Sequence, residues 1–238
     1  MSRFPFLDAP TPIAFAHRGG AAGHPENSLA AFEQAVKLGY RYLETDVHAT
    51  ADGVLVAFHD PSLDRVTDRA GRIADLPYAE VSRARIGGTE PIPLLADLLA
   101  AFPDTRFNID VKAEPAIEPL AAAIRDAKAL DRVCIGSFSD ARLARIREEL
   151  GPDLCTSLGP RAALALRLAS FTGGRIGRRL GRYPCVQVPI TARGARIVDA
   201  RFVQTVHELG MQVHVWTIND VAQMRELLDL GVDGLITD

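Results

Sequence analysis

Two short strings carry most of the chemistry this sequence can offer. In YLETDVH (42–48) the polar residues Glu44, Asp46 and His48 alternate with Leu43, Thr45 and Val47, and in RFNIDVK (106–112) Asn108, Asp110 and Lys112 alternate with Phe107, Ile109 and Val111. Alternate side chains of a β-strand share a face. If both strings are strands with their apolar sets packed outward, three carboxylates and one ammonium converge on an inward surface. Carboxylates held that close stay ionised only when something offsets their charge, and Lys112 alone leaves an excess of about two negative charges. A divalent cation is the natural counter-ion. Carboxylate donors without Cys or paired His spacing favour a hard ion, Mg2+ or Ca2+, over Zn2+. The competing expectation is a buried ion-pair network in which Lys112, Arg18 or Arg41 neutralises the acids.

Two histidines add proton transfer. His17 ends the apolar run IAFAH (13–17) and opens HRGG (17–20), a glycine turn whose backbone amides can approach an anion beside Arg18. His59 follows ATADGVLVAFHD (49–60), where an Asp52-Gly53 turn signal and a second apolar run predict a hairpin. A turn centred there sets His59 opposite Thr45, between Glu44 and Asp46. Two imidazoles flanking one metal suit general acid–base cleavage of a phosphate ester, because imidazole titrates near neutral pH. His24, His48 and His207 read as structural. His214 shares an inward face with Gln212 and Trp216 and reads equally as support behind the site, while Trp216 is either core filling or a wall for substrate.

Positioning these residues takes strands that end at a common rim. Short apolar runs recur at 13–17, 42–48, 106–112, 132–138, 153–158, 184–189, 211–217 and 233–237, and amphipathic patterns lie between most of them, at 28–38 (with Asn27 as N-cap), 94–101, 117–129, 141–150, 161–170, 199–209 and 221–230. Eight strands alternating with helices predict an α/β fold of the parallel (β/α)8 TIM-barrel type, whose chemistry sits at the C-terminal ends of its strands. The expected organisation is one barrel domain over 1–238, with the Gly-, Pro- and charge-rich segment 61–91 as a small insertion after the hairpin of the second strand. Because the sequence stops just past the last strand, the eighth helix is expected to be truncated or absent, with the N-terminal arm as a candidate cover for that strand.

The 238 residues are 47% hydrophobic and 24% charged with a net charge of −3, which gives no global reason to expect nucleic acid or an anionic membrane as partner. The start MSRFPFLDAPTP has no leader pattern and no later stretch approaches a membrane span, so a cytoplasmic location is expected. Cys134, Cys155 and Cys185 each sit in a predicted strand, and their odd number argues against a disulfide framework. The stretch 161–182 mixes an apolar helix face with clustered arginines; a solvated helix and basic loop is preferred over a lipid-resting surface, so no stable membrane association is expected. A monomer or a homodimer is expected.

Together, HRGG (17–20), PENSLAAF (25–32), ETDVH (44–48), DGVLVAFHD (52–60), NIDVK (108–112), VWTIND (215–220) and GVDGLITD (231–238) resemble, in order and spacing, the motifs of the glycerophosphodiester phosphodiesterase family. The resemblance spans essentially the whole chain. It implies a metal-dependent hydrolase that cleaves a small-molecule glycerophosphodiester to sn-glycerol 3-phosphate and an alcohol. It further implies His17 and His59 as the acid–base pair, Glu44, Asp46 and Asp110 as ligands of one divalent cation, Arg18 and Lys112 on the phosphate, and Trp216 at the substrate wall. The family usually has Glu where this chain has Asp110. Competing expectations are a lysophospholipase D or sphingomyelinase D-like activity on lipid diesters, and a catalytically silent barrel that binds phosphodiesters.

Overall fold

The computed structural model describes residues 3–20, 23–171 and 183–238. Strands β1 (Ile13–Ala16), β2 (Tyr42–Ala49), β3 (Leu55–Ala57), β4 (Arg106–Val111), β5 (Val133–Gly136), β6 (Cys155–Thr156), β7 (Cys185–Pro189), β8 (Gln212–Trp216) and β9 (Gly234–Thr237) form one sheet. All but β3 are parallel, in the order β6-β5-β4-β2-β1-β9-β8-β7. A lone Ser157–Cys185 bridge and the Leu158 N–H donating to Cys185 O at 3.1 Å bring the ends together, giving a nearly closed eight-stranded barrel. Helices α1 (Leu29–Lys37), α2 (Leu95–Ala101), α3 (Ile117–Asp126), α4 (Asp140–Leu150), α5 (Pro160–Ala169), α6 (Ala200–Glu208) and α7 (Val221–Asp229) follow successive barrel strands.

The period-two pattern of the strands decides what lies inside. Leu43 and Val47 of β2 and Phe107, Ile109 and Val111 of β4 pack outward against Phe32 of α1, Leu98 of α2, Leu120 of α3 and Ile146 of α4. A second outer cluster joins Val186, Val213, Val215 and Leu235 to Leu166 of α5, Phe202 of α6 and Leu227 of α7. The other face of each strand is left for the barrel lumen, acidic toward the top and apolar toward the floor.

The N-terminal arm meets the last strand from inside the barrel and not on its outer face. Phe6 is fully buried beneath the lumen, packed with Ile13, Phe15, Tyr42 and Ile236, and its carbonyl accepts the Tyr42 hydroxyl at 2.6 Å. Leu235, on the outer face of β9, is instead covered by the cluster that contains Leu227 of α7. Phe4, Phe6 and Leu7 of the arm join Ile13, Phe15, Tyr42 and Ile236 in one apolar cluster that is shielded from water there.

The hairpin has the predicted register: Val47 pairs with Ala57 and His48 with Val56, and the Phe58 N–H donates to Asp46 O at 2.9 Å. Beyond it, Leu63, Ile73, Val81, Ala84 and Ile86 of the 61–91 excursion form a small separate core with Val56 and Phe58 of the hairpin and with Ile92. The cap of α1 differs from expectation. Ser28 accepts the Ala31 N–H, while Asn27 is buried in a left-handed conformation (φ 57°) and its Oδ1 accepts the Thr45 hydroxyl at 2.7 Å. A two-residue ribbon, Thr191–Ala192 with Ala195–Arg196, also follows β7. Of the stretch weighed as a lipid-facing element, α5 exposes Leu164 and Leu168, with Phe171 just beyond it, and residues 172–182 lie outside the described residues. Among the described residues, no helix is long and apolar enough to cross a membrane.

Candidate active site

The acidic residues reach the top of the lumen from two neighbouring strands. In the β2–β4 ladder, Glu44 pairs with Asn108 and Asp46 with Asp110, so the three carboxylates occupy adjoining inward positions. Glu44, Asp46 and Asp110 are 6%, 2% and 9% exposed, which puts them within reach of the mouth but largely out of water. Lys112 bridges two of them, its Nζ 2.7 Å from Asp46 Oδ1 and 2.7 Å from Asp110 Oδ2. Arg18 takes a third position: its N–H donates to Glu44 Oε2 at 3.0 Å and its Nε lies 3.4 Å from Asp46 Oδ2. Lys112 and Arg18 thus belong to the ion-pair network weighed against a metal, whereas Arg41 has no place in it.

The network leaves acceptors over. Asp46 Oδ2 and Asp110 Oδ1 are buried without a hydrogen-bond partner among the described residues. Glu44 is pushed well above the ordinary carboxylate range, first by burial and then by the charge of Asp46. Lys112 is raised because the attraction of Asp110 and Asp46 outweighs the opposing effect of burial.

Each proposed histidine has a carboxylate on Nδ1. His17 Nδ1 lies 2.6 Å from Asp238 Oδ1, at the end of β9, and His59 Nδ1 lies 2.6 Å from Asp60 Oδ1. An ionised carboxylate can only accept, so both rings carry a proton on Nδ1 and present Nε2; His17 Nε2 is 4.0 Å from Glu44 Oε2. Burial lowers the His17 imidazole below its ordinary 6.5 against the raising effect of Asp238. Asp60 is held at about 2, chiefly by hydrogen bonds from Arg65. Arg65 also donates to Glu26 at 2.7 Å and 3.0 Å, and Arg18 donates to the same carboxylate at 3.0 Å, so one chain of charges ties the His59 loop to the HRGG turn.

Local backbone geometry serves the turn. Arg18 (φ 52°) and Gly19 (φ 86°) are both left-handed. A Cβ on Gly19 would come within 2.9 Å of Ala31 Cβ and 3.0 Å of the Phe32 nitrogen, so only glycine lets the loop rest on the first turn of α1. His48, read as structural, is buried, and its Nε2 donates to His59 O at 3.1 Å, fixing the backbone of the second histidine. His214 sits lower in the lumen, fully buried between Gln187 and Gln212. Trp216 reaches the rim and meets Phe138 edge to face, with centroids 5.7 Å apart; Phe138 is 64% exposed.

Sequence reasoning missed several members of this network. Asp60 was readable as a carboxylate adjoining a candidate histidine. Asp238, Asn219 and Glu26 lie within the motifs GVDGLITD, VWTIND and PENSLAAF, but their roles were not legible there, because they meet their partners only when β1, β8, β9 and the insertion come together. Asn219 donates to Asp238 Oδ2 at 2.6 Å and also accepts the Asp238 N–H at 3.0 Å.

The sequence model of the glycerophosphoryl diester phosphodiesterase family matches residues 17–238. The chain belongs to that family. The family reaction, hydrolysis of glycerophosphodiesters, is this enzyme's, and family members generally depend on a divalent metal ion. The chain is 43% identical to a probable glycerophosphodiester phosphodiesterase 2 of Mycobacterium tuberculosis over 95% of its own length and 87% of the relative's. It is 28% identical to a human lysophospholipase D, covering 93% of this chain and 82% of that one. Among solved structures it superposes on a phosphodiesterase barrel from Silicibacter pomeroyi with a TM-score of 0.82 at 24% identity, over 98% and 94% of the two chains. It likewise matches an Oleispira antarctica phosphodiesterase in complex with sn-glycerol-3-phosphate, with a TM-score of 0.77 at 24% identity over 95% and 93% of the chains.

Proposed function

We propose that this phosphodiesterase cleaves glycerophosphodiesters to sn-glycerol 3-phosphate and an alcohol, using one hard divalent cation, Mg2+ or Ca2+, and a histidine pair. The observation that carries the metal assignment is the set of leftover acceptors. Asp110 Oδ1 is buried with no hydrogen-bond partner among the described residues, and Asp46 Oδ2 has none beyond the 3.4 Å ion-pair contact of Arg18 Nε, beside a Glu44 that is costly to ionise where it stands. A buried carboxylate oxygen without a donor costs about 1–3 kcal/mol or more, and an oxygen-only donor set fits a hard cation. When bound, the cation supplies charge neutralisation of the phosphoryl oxygens.

The chain's own groups do the rest. Arg18 and Lys112 orient the phosphate and stabilise its growing negative charge. His17 is depressed by burial and therefore neutral at pH 7, which suits it to accept the proton of the nucleophile at Nε2. His59 delivers a proton to the departing alkoxide, with Asp60 holding its ring and Arg65 holding Asp60. Trp216 forms one wall of the entrance. Residues 1–238 are read as one barrel domain with 61–91 as its insertion. A cytoplasmic location accords with the three unbridged thiols.

Hydrolysis of glycerophosphocholine and glycerophosphoethanolamine by metal-stripped protein, with Mg2+, Ca2+, Mn2+ or Zn2+ restored, tests the reading. Glycerol 3-phosphate is expected only with a divalent ion, and His17→Ala and His59→Ala are each expected to lose at least about 10²-fold in kcat. Retention of full activity by either variant removes that histidine from the mechanism. A second substrate class is favoured by the exposed Phe138 beside Trp216, an apolar lip suited to an acyl chain. Higher kcat/KM on lysophospholipids than on water-soluble diesters would decide for it.

A further inference from the structure

Three thiols meet inside the barrel, beneath the acidic rim. Cys134 of β5, Cys155 of β6 and Cys185 of β7 are unbridged and at most 1% exposed. Their Sγ atoms all lie within 4.8 Å of one another, with Cys134 and Cys185 at 3.9 Å. Register brings this about: Cys134 pairs with Cys155, and Ser157, two residues further along, bridges to Cys185. Cys134 lies two residues, about 6.6 Å of strand, below Gly136, the partner of Asp110. Among the described residues, no other set of three or more His, Cys, Asp or Glu is drawn so close, the rim carboxylates included.

The surroundings are dry. Phe6, Phe15, Tyr42 and Ile236 line the cluster. Burial pushes the Cys134 and Cys155 thiols up, while hydrogen bonds from both, with His214 adding to them, push Cys185 down. A bound cation would take the place of thiol protons, exchanging them for metal.

We propose that Cys134, Cys155 and Cys185 form a second metal site, a three-sulfur cradle for a thiophilic d10 cation such as Zn2+. A Zn–S length of about 2.3 Å places tetrahedral or trigonal sulfurs about 3.8–4.0 Å apart, the spacing already present between Cys134 and Cys185. Donor chemistry separates the two sites: oxygen at the rim selects a hard ion, sulfur at the floor a soft one. The ion also has a structural task, because the β6–β7 seam is joined by a single bridge and the three sulfurs span it. The Phe6 arm covers the floor, so the ion enters during folding.

The test uses full-length protein expressed in zinc-supplemented medium, and a second preparation refolded with Co2+ under reducing conditions. One zinc per chain is expected to survive dialysis against a chelator, and to fall below about a tenth of that in Cys134→Ala and Cys185→Ala. The cobalt protein is expected to show a sulfur-to-metal charge-transfer band that Glu44→Gln retains, which separates this site from the rim. At a hundredfold excess of zinc over Kd, Tm should rise by about 5–10 °C. Wild-type protein with no retained zinc and no charge-transfer band overturns the proposal whether or not the cysteine variants fold. So does undiminished metal in those variants, or the loss of two titratable thiols to a disulfide.

Discussion

Burial and the charge of Asp46 act on Glu44 in the same direction, so the metal-free enzyme holds a carboxyl whose ionisation opposes folding. Its folded pKa lies above the unfolded 4.5, so the stability it contributes is complete below pH 4.5 and disappears as the pH rises through the folded value. Glu44→Gln removes that burden and keeps an acceptor for the Arg18 N–H. Metal-stripped Glu44→Gln is therefore expected to melt higher than metal-stripped wild type at pH 7.5, by about 2–4 °C for each kcal/mol relieved, while activity with any metal falls at least about 10²-fold. Calorimetry alongside an assay checks both. Asp60 works in the opposite sense: at about 2 against an ordinary 3.8, it contributes stability that is present above pH 3.8 and lost as the pH falls toward 2. His17 is lowered, so the folded state binds fewer protons than the unfolded chain just below pH 6.5, and stability declines as the pH drops through that window. Asp60→Asn should flatten the loss of stability between about pH 4 and 2. It should also lower kcat by about 10² to 10⁴, because an amide can donate to His59 and so favour the wrong tautomer.

At the scale of elements, strand parity was the most legible feature. The alternation in 42–48 and 106–112 put the acids inward, the Asp52-Gly53 turn set the hairpin register, and both hold because a one-residue slip would bury charge against α2 and α3. Features built by long-range contact left no local mark. Asn27 looks like a cap and instead binds Thr45 across the turn, with Ser28 capping α1. The arm reads as a candidate cover for the last strand and instead floors the lumen through Phe6. Nor does a list of apolar segments reveal that three cysteines from separate strands point at one spot. Phe6→Ala should cost about 3–5 kcal/mol in urea unfolding. Ser28→Ala should cost about 1 kcal/mol, and it loosens the helix turn on which Gly19 rests.

On the scale of the whole molecule, charge and oil are sorted along the barrel axis. The lumen runs from the Glu44, Asp46 and Asp110 rim through the Asn108–Gln187–His214 hydrogen bonds to the aromatic floor. Its acids stand on β2 and β4, so their geometry depends on the barrel being shut. His17 is positioned by Asp238, 221 residues away in the chain, across the β1–β9 ladder. Loop closure over such a separation is slow relative to local helix formation. Refolding watched by two clocks should therefore diverge, with far-ultraviolet ellipticity recovering first and turnover returning only when the first strand finds the last, which makes enzymatic activity a stopwatch for the final act of folding.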